Sequence, residues 1–175
     1  EPTLDDWVQW AYQHDVDPDV ISFIQYRPNL LSNFNADDYA FPTPRAWSMV
    51  SKKLSRANND PERLFYGVSS LVGDGPAGEF IAFKEIASKL PDIDQLIADP
   101  STYKKDDNPA LLYALSTAIA TRAQDDVMEN IMKVAKKMPI EFQVVLVKGC
   151  LAKDRQLKSH NDVRKWIVDN ANVVL

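Results

Sequence analysis

The chain has 175 residues, enough for one domain or two small ones with a real hydrophobic core. Its formal net charge is −5, which argues against a protein that grips nucleic acid chiefly through phosphates. A single cysteine, Cys150, excludes an intramolecular disulfide and fits a reducing, cytoplasmic setting, and no apolar run reaches membrane-spanning length.

Helical periodicity dominates from the start. Thr3 and Asp6 have capping-box spacing ahead of Trp7, Trp10 and Ala11. Four cap-proline pairs then mark helix starts: Asp17-Pro18, Thr43-Pro44, Asp60-Pro61 and Asn108-Pro109. The Pro18 helix carries Val20, Ile21, Phe23 and Ile24 and ends near Arg27-Pro28. Residues 29–41 read as a polar, turn-rich loop. The Pro44 helix, expected over 44–57, carries Trp47, Val50 and Leu54 and closes on Lys52, Lys53 and Arg56. Leu64, Val68, Leu71 and Val72 continue the pattern until Gly73-Asp74-Gly75 breaks it, and Pro76 is expected to restart a helix with Phe80, Ile81, Phe83 and Ile86.

A short helix over 93–97 precedes Asp99-Pro100, and residues 100–108 read as a hinge. Beyond it come a stripe of Leu111, Leu112, Leu115 and Ile119 and another of Val127, Ile131 and Val134. Pro139 opens a helix through Phe142, Val145, Leu146 and Cys150, although its valine run could pass for a strand. Ser159 with Asp162 is expected to cap a last helix carrying Val163, Trp166 and Ile167. No repeat period and no strand-like alternation emerge, so the expected fold is an all-α multi-helix bundle, divided as 1–99, a hinge at 100–108, and 109–175.

Several candidate sites have plain structural explanations. Gly73-Asp74-Gly75-Pro76-Ala77-Gly78 matches G-x-G-x-x-G, but it follows a helix rather than a strand, and Pro76 removes an amide donor. Lys148-Gly149 runs in the wrong order for a Walker A loop. His14 lies among Asp15, Asp17 and Asp19, a pattern expected of a solvated capping turn more than of a metal site. His160 reads as surface, Asp37-Asp38 and Asp125-Asp126 as loop or cap carboxylates, and Cys150 as a core residue. Lys148, Lys153, Arg155, Lys158, Arg164 and Lys165 form a basic region diluted by Asp154 and Asp162, expected to be a solvated face.

Arg45 is different. Thr43 and Pro44 place it in the first turn of a helix, where the dipole disfavours a cation by a few tenths of a kcal/mol up to about 1. Either Asp37 or Asp38 pairs with it, or it packs on Phe41 and Trp47, or an anion meets it, since a helix start offers free amides and arginine adds a planar fork.

The stretch FPTPRAWSMVSKKL at 41–54 resembles the sensor-2 segment of MoxR-type AAA+ ATPases, in which a Pro-Arg run opens a helix of the C-terminal lid. DDWVQWA, DPDVISFIQYRPNLL, LVGDGPAGEFIAF and MPIEFQVVLVKGC resemble the phage and prophage branch of that family and extend the likeness over most of the chain. The resemblance implies an AAA+ lid-like helical region at 1–99 and a helical extension at 109–175. Arg45 would reach the γ-phosphate of ATP held with Mg2+ by a P-loop domain. The implied partners are that N-terminal P-loop domain, neighbouring subunits of a ring oligomer and a protein substrate. Walker A, Walker B, sensor 1 and the arginine finger are not in this sequence, so the chain is expected to be a C-terminal fragment with no catalytic residue, no bound metal and no activity of its own. The alternative is a free-standing helical adaptor that binds other proteins; a helix-turn-helix DNA binder has the helices but not the charge.

Overall fold

The computed structural model describes residues 3–34, 38–54 and 60–174. Among them are eleven α-helices and no strand. The valine run of 144–147 is helical, because Phe142, Leu146, Val147 and Cys150 recur on one buried stripe at a period that only a helix provides. The chain divides into two compact units, Glu1–Lys89 and Leu90–Leu175. Residues 100–108, expected as a hinge, lie inside the second.

The first unit holds α1 (Leu4–Gln13), α2 (Pro18–Tyr26), α3 (Pro44–Leu54), α4 (Pro61–Val72) and α5 (Asp74–Ala87). Local chemistry sets the starts. Thr3 and Asp6 close a reciprocal capping box, and the Asp17 and Asp60 carboxylates accept the first free amides beside Pro18 and Pro61. Phe23 sits at the centre of the core, with the rings of Trp47, Phe80 and Phe83 at 5.3, 5.3 and 5.5 Å. These tilted and edge-on contacts join α2, α3 and α5. Burying each ring contributes on the order of 2–3 kcal/mol. Lys84 with Asp19, and Arg27 with Glu79, tie α5 to α2 and to the residue that ends α2.

The expected restart at Pro76 is two residues late: α5 begins at Asp74 and only Gly73 separates it from α4. Gly73 has φ 87° and ψ 162°, a region essentially closed to side chains. A Cβ there would lie 2.8 Å from the Ala40 carbonyl oxygen. One residue that can turn this sharply suffices, so Gly75 and Pro76 are absorbed into the first turn of α5, where a proline loses no bond. The loop after α2 is also less polar than expected. A 3-10 turn at Pro28–Leu30 buries Leu30 and Leu31.

The second unit holds α6 (Ile93–Ala98), α7 (Pro109–Ala120), α8 (Met128–Ala135), α9 (Ile140–Lys153), α10 (Asn161–Asp169) and α11 (Ala171–Val174). α7 is apolar almost all round and is its central helix, packed along α9. α8 adds Met128, Ile131, Met132 and Val134, all fully buried. Trp166 on α10 donates its Nε1–H to Gln143 Oε1 at 2.8 Å, and Gln143 Nε2 donates to the Met138 carbonyl at 2.8 Å. The cap of α10 is His160, whose Nδ1 accepts from the Asp162 amide at 3.3 Å. Ser159, the expected cap, instead ends the 3-10 turn Arg155–Ser159 and donates to the Gln156 carbonyl. No helix among the described residues is long and apolar enough to cross a membrane.

Candidate functional site

The start of α3 is built to hold Arg45 in place. Thr43 Oγ1 accepts the Ala46 amide at 3.0 Å, and the Thr43 carbonyl accepts the Trp47 amide at 3.1 Å. Pro44 occupies the first helical position. One turn on, Trp47 is 0% exposed and donates its indole N–H to the Leu30 carbonyl at 2.6 Å. Ala46, Val50 and Ser51 complete the buried face, and Ser51 Oγ accepts the Asp17 amide at 2.8 Å. α3 is thereby fixed both by its core face and by two hydrogen bonds to other segments. The opposite face carries Arg45, Met49, Lys52 and Lys53, all exposed. Lys53 Nζ donates to the Gly67 carbonyl at 3.1 Å.

Among the described residues no hydrogen bond, ion pair or cation–π contact engages the Arg45 guanidinium. Asp37, one of its two expected carboxylate partners, lies outside the described residues. Phe41 stacks edge-on against Phe34 at 4.9 Å, and Trp47 points into the core. The cation therefore stands at the positive end of the α3 dipole; Pro44 has no amide hydrogen and Thr43 takes those of Ala46 and Trp47, which leaves the Arg45 amide of that first turn free. This arrangement can accept an anion: a planar fork beside a helix start binds phosphate or carboxylate oxygens in bidentate fashion.

A cleft of about 860 Å³ opens nearby, between the loop that precedes α3 and the α4–α5 junction. Phe34, Asp38, Tyr39, Ser70, Gly73 and Asp74 are in its wall. Two carboxylates and no cation make it unsuitable for phosphate, and Arg45 does not line it. The glycine motif at 73–78 sits here as the helix–helix junction and follows α4, so it lacks the strand that a dinucleotide-binding turn requires.

The remaining candidates separate in space. His14 stacks on Trp10 at 4.4 Å with its Nδ1 2.8 Å from the Trp10 carbonyl oxygen. No cluster of three metal-ligating side chains occurs among the described residues. Asp17 is half-buried, and burial, reinforced by Asp19, pushes its carboxyl above the ordinary value against the pull of the Asp19 amide and Lys84. Asp125 and Asp126 lie in a 3-10 turn leading into α8. Burial pushes the Cys150 thiol up to about 12, so it is a packing residue. His160, expected at the surface, is largely covered, with a side chain 17% exposed. Comparison with protein-family models, with curated proteins and with solved structures finds no match.

Proposed function

We propose that this chain is the lid-like helical region, with a helical extension, of a MoxR-type AAA+ ATPase, and that Arg45 is its sensor-2 arginine. The observation that carries the reading is the exposed Arg45 guanidinium, unengaged by any described residue, on a helix start that Thr43, Pro44 and Trp47 hold fixed. The ordered family-like segments support it. Arg45 suits one contact to a phosphate oxygen: it is permanently charged, and its fork matches phosphate geometry. Once joined to a P-loop domain, ATP would supply the transferable phosphoryl group. On this reading the metal and the phosphate cradle would be supplied by that domain. What this chain contributes is position. A guanidinium fixed to a rigid helix senses whether the phosphate is present and passes that state to the helices packed behind α3. Activity of the chain alone is expected to be nil, and the assembled protein is expected to act as a ring on protein clients.

The coding sequence upstream of Glu1 tests this. A strand followed by G-x-x-x-x-G-K-[ST] supports the reading. A start codon directly before Glu1 overturns it in favour of a free-standing adaptor. That second reading draws on the exposed rings of Phe34, Tyr39 and Tyr66, which give a partner protein apolar surface to cover.

A further inference from the structure

The basic region near the C-terminus is not the evenly diluted face that its sequence suggests. Lys153 is drawn away from it, donating to the Thr121 carbonyl. Of the two diluting aspartates, Asp154 is engaged as a local cap, its Oδ1 accepting the Gln156 amide at 2.8 Å, and Asp162 faces His160, its Oδ2 lying 3.9 Å from His160 Nδ1. What remains is a depression of about 550 Å³ lined by Arg155, Gln156, Lys158, Ser159 and Arg164. It holds three cations and no carboxylate. Buried neighbours set which side chains line it. Leu157 plugs the 3-10 turn into the core and turns Arg155, Gln156 and Lys158 outward. Val163 and Trp166 bury the inner face of α10 and leave Arg164 on the outer one. Among the described residues no ion pair or hydrogen bond engages the Arg155, Lys158 or Arg164 side chains.

We propose that this depression binds the phosphoryl group of a phosphorylated segment of a partner protein. Two guanidinium forks and an ammonium match a dianion with three acceptor oxygens, whereas a single carboxylate would leave part of the charge uncompensated. The Gln156 side-chain carboxamide adds a neutral donor at the same rim. A nucleic-acid strand fits less well. The lining has no aromatic ring on which a base could stack, and a chain of net charge −5 repels an extended polyanion beyond this one spot. The proposal does not depend on the ATPase reading, because it concerns only the second unit.

The test is an NMR titration of the 15N-labelled chain with an acetylated, amidated peptide carrying one phosphoserine between alanines. Peptides with serine or glutamate at that position, and a short DNA duplex, are titrated at the same ionic strength. The expected result is saturable shifts confined to the amides of 155–164. The serine peptide should give none, and the glutamate peptide should bind at least about fivefold more weakly. In the double variant Arg155→Ala/Arg164→Ala the affinity should fall by about tenfold or more, with the remaining amide spectrum unchanged. Both residues are exposed, so the fold is expected to survive, and the spectrum itself reports it. Shifts scattered over every lysine, equal binding of the glutamate peptide, or tighter binding of the duplex would each overturn the proposal.

Discussion

Replacing Arg45 with Gln should stabilise the isolated chain. Arginine and glutamine have similar helix propensities, so the exchange mainly removes a charge from the first turn of α3. A cation at an exposed helix start opposes the dipole by about 0.3–1 kcal/mol at low ionic strength. No described residue holds a bond to Arg45 that the exchange would break. The expected gain is therefore about 0.3–1 kcal/mol for Arg45→Gln, and about twice that for Arg45→Glu, which turns the unfavourable charge into a favourable one. Urea unfolding followed by tryptophan fluorescence reads this out, because Trp7, Trp10 and Trp47 all lie in the unit that contains α3. The gain should shrink as salt is raised, since the interaction is at the surface. A loss of about 0.5 kcal/mol or more on Arg45→Gln would refute the reasoning, because it would mean that the guanidinium already has a stabilising partner within the chain.

Gly73→Ala should cost at least about 2 kcal/mol in the same assay, since it combines a backbone conformation closed to alanine with a 2.8 Å approach to the Ala40 carbonyl oxygen. A loss below about 0.5 kcal/mol would contradict the single-residue turn between α4 and α5. Asp17→Asn should raise the urea midpoint at pH 7. The folded pKa of Asp17 is raised, so its contribution to stability is fully present below the unfolded value of 3.8 and is lost as pH rises through the folded value. Variant and wild type should therefore converge below pH 3.8, while asparagine keeps the cap to the Asp19 amide; an equal midpoint at pH 7 would contradict the buried-carboxylate account. A thiol reagent at pH about 8 should leave native Cys150 untouched and label it after denaturation, because burial holds its pKa at about 12. Rapid labelling of the folded chain would show that the α7–α9 core opens readily.

The parts of this molecule that could be read from sequence are those decided within a few residues. A cap followed by proline uses only local hydrogen bonds, and all four such pairs start helices at α2, α3, α4 and α7. The all-helical character followed for the same reason, since a 3.6-residue stripe such as Trp7, Val8 and Ala11 is a local pattern. Choices between two adequate local solutions were not legible. Ser159 and His160 can both cap α10, and the burial of Leu157 decided in favour of the histidine by drawing Ser159 into the preceding turn. The start of α5 depended on how sharply Gly73 could turn against Ala40, a contact across 33 positions. At the candidate site the place of Arg45 in its helix was legible, but its lack of an engaged partner was not, because ion pairing is settled through space. The same holds for the basic region, where Lys153 finds a carbonyl on another helix and three other cations meet at one depression.

The most direct test of the central claim is ATP turnover by the protein produced from the complete reading frame, compared with its Arg45→Ala variant. A charge-assisted contact to the γ-phosphate stabilises the transition state by roughly 1.5–3 kcal/mol. The account therefore predicts a fall in kcat/KM of about tenfold to 100-fold with the fold intact. Unchanged kcat/KM in the variant, or a wild-type protein that hydrolyses no ATP, would contradict it.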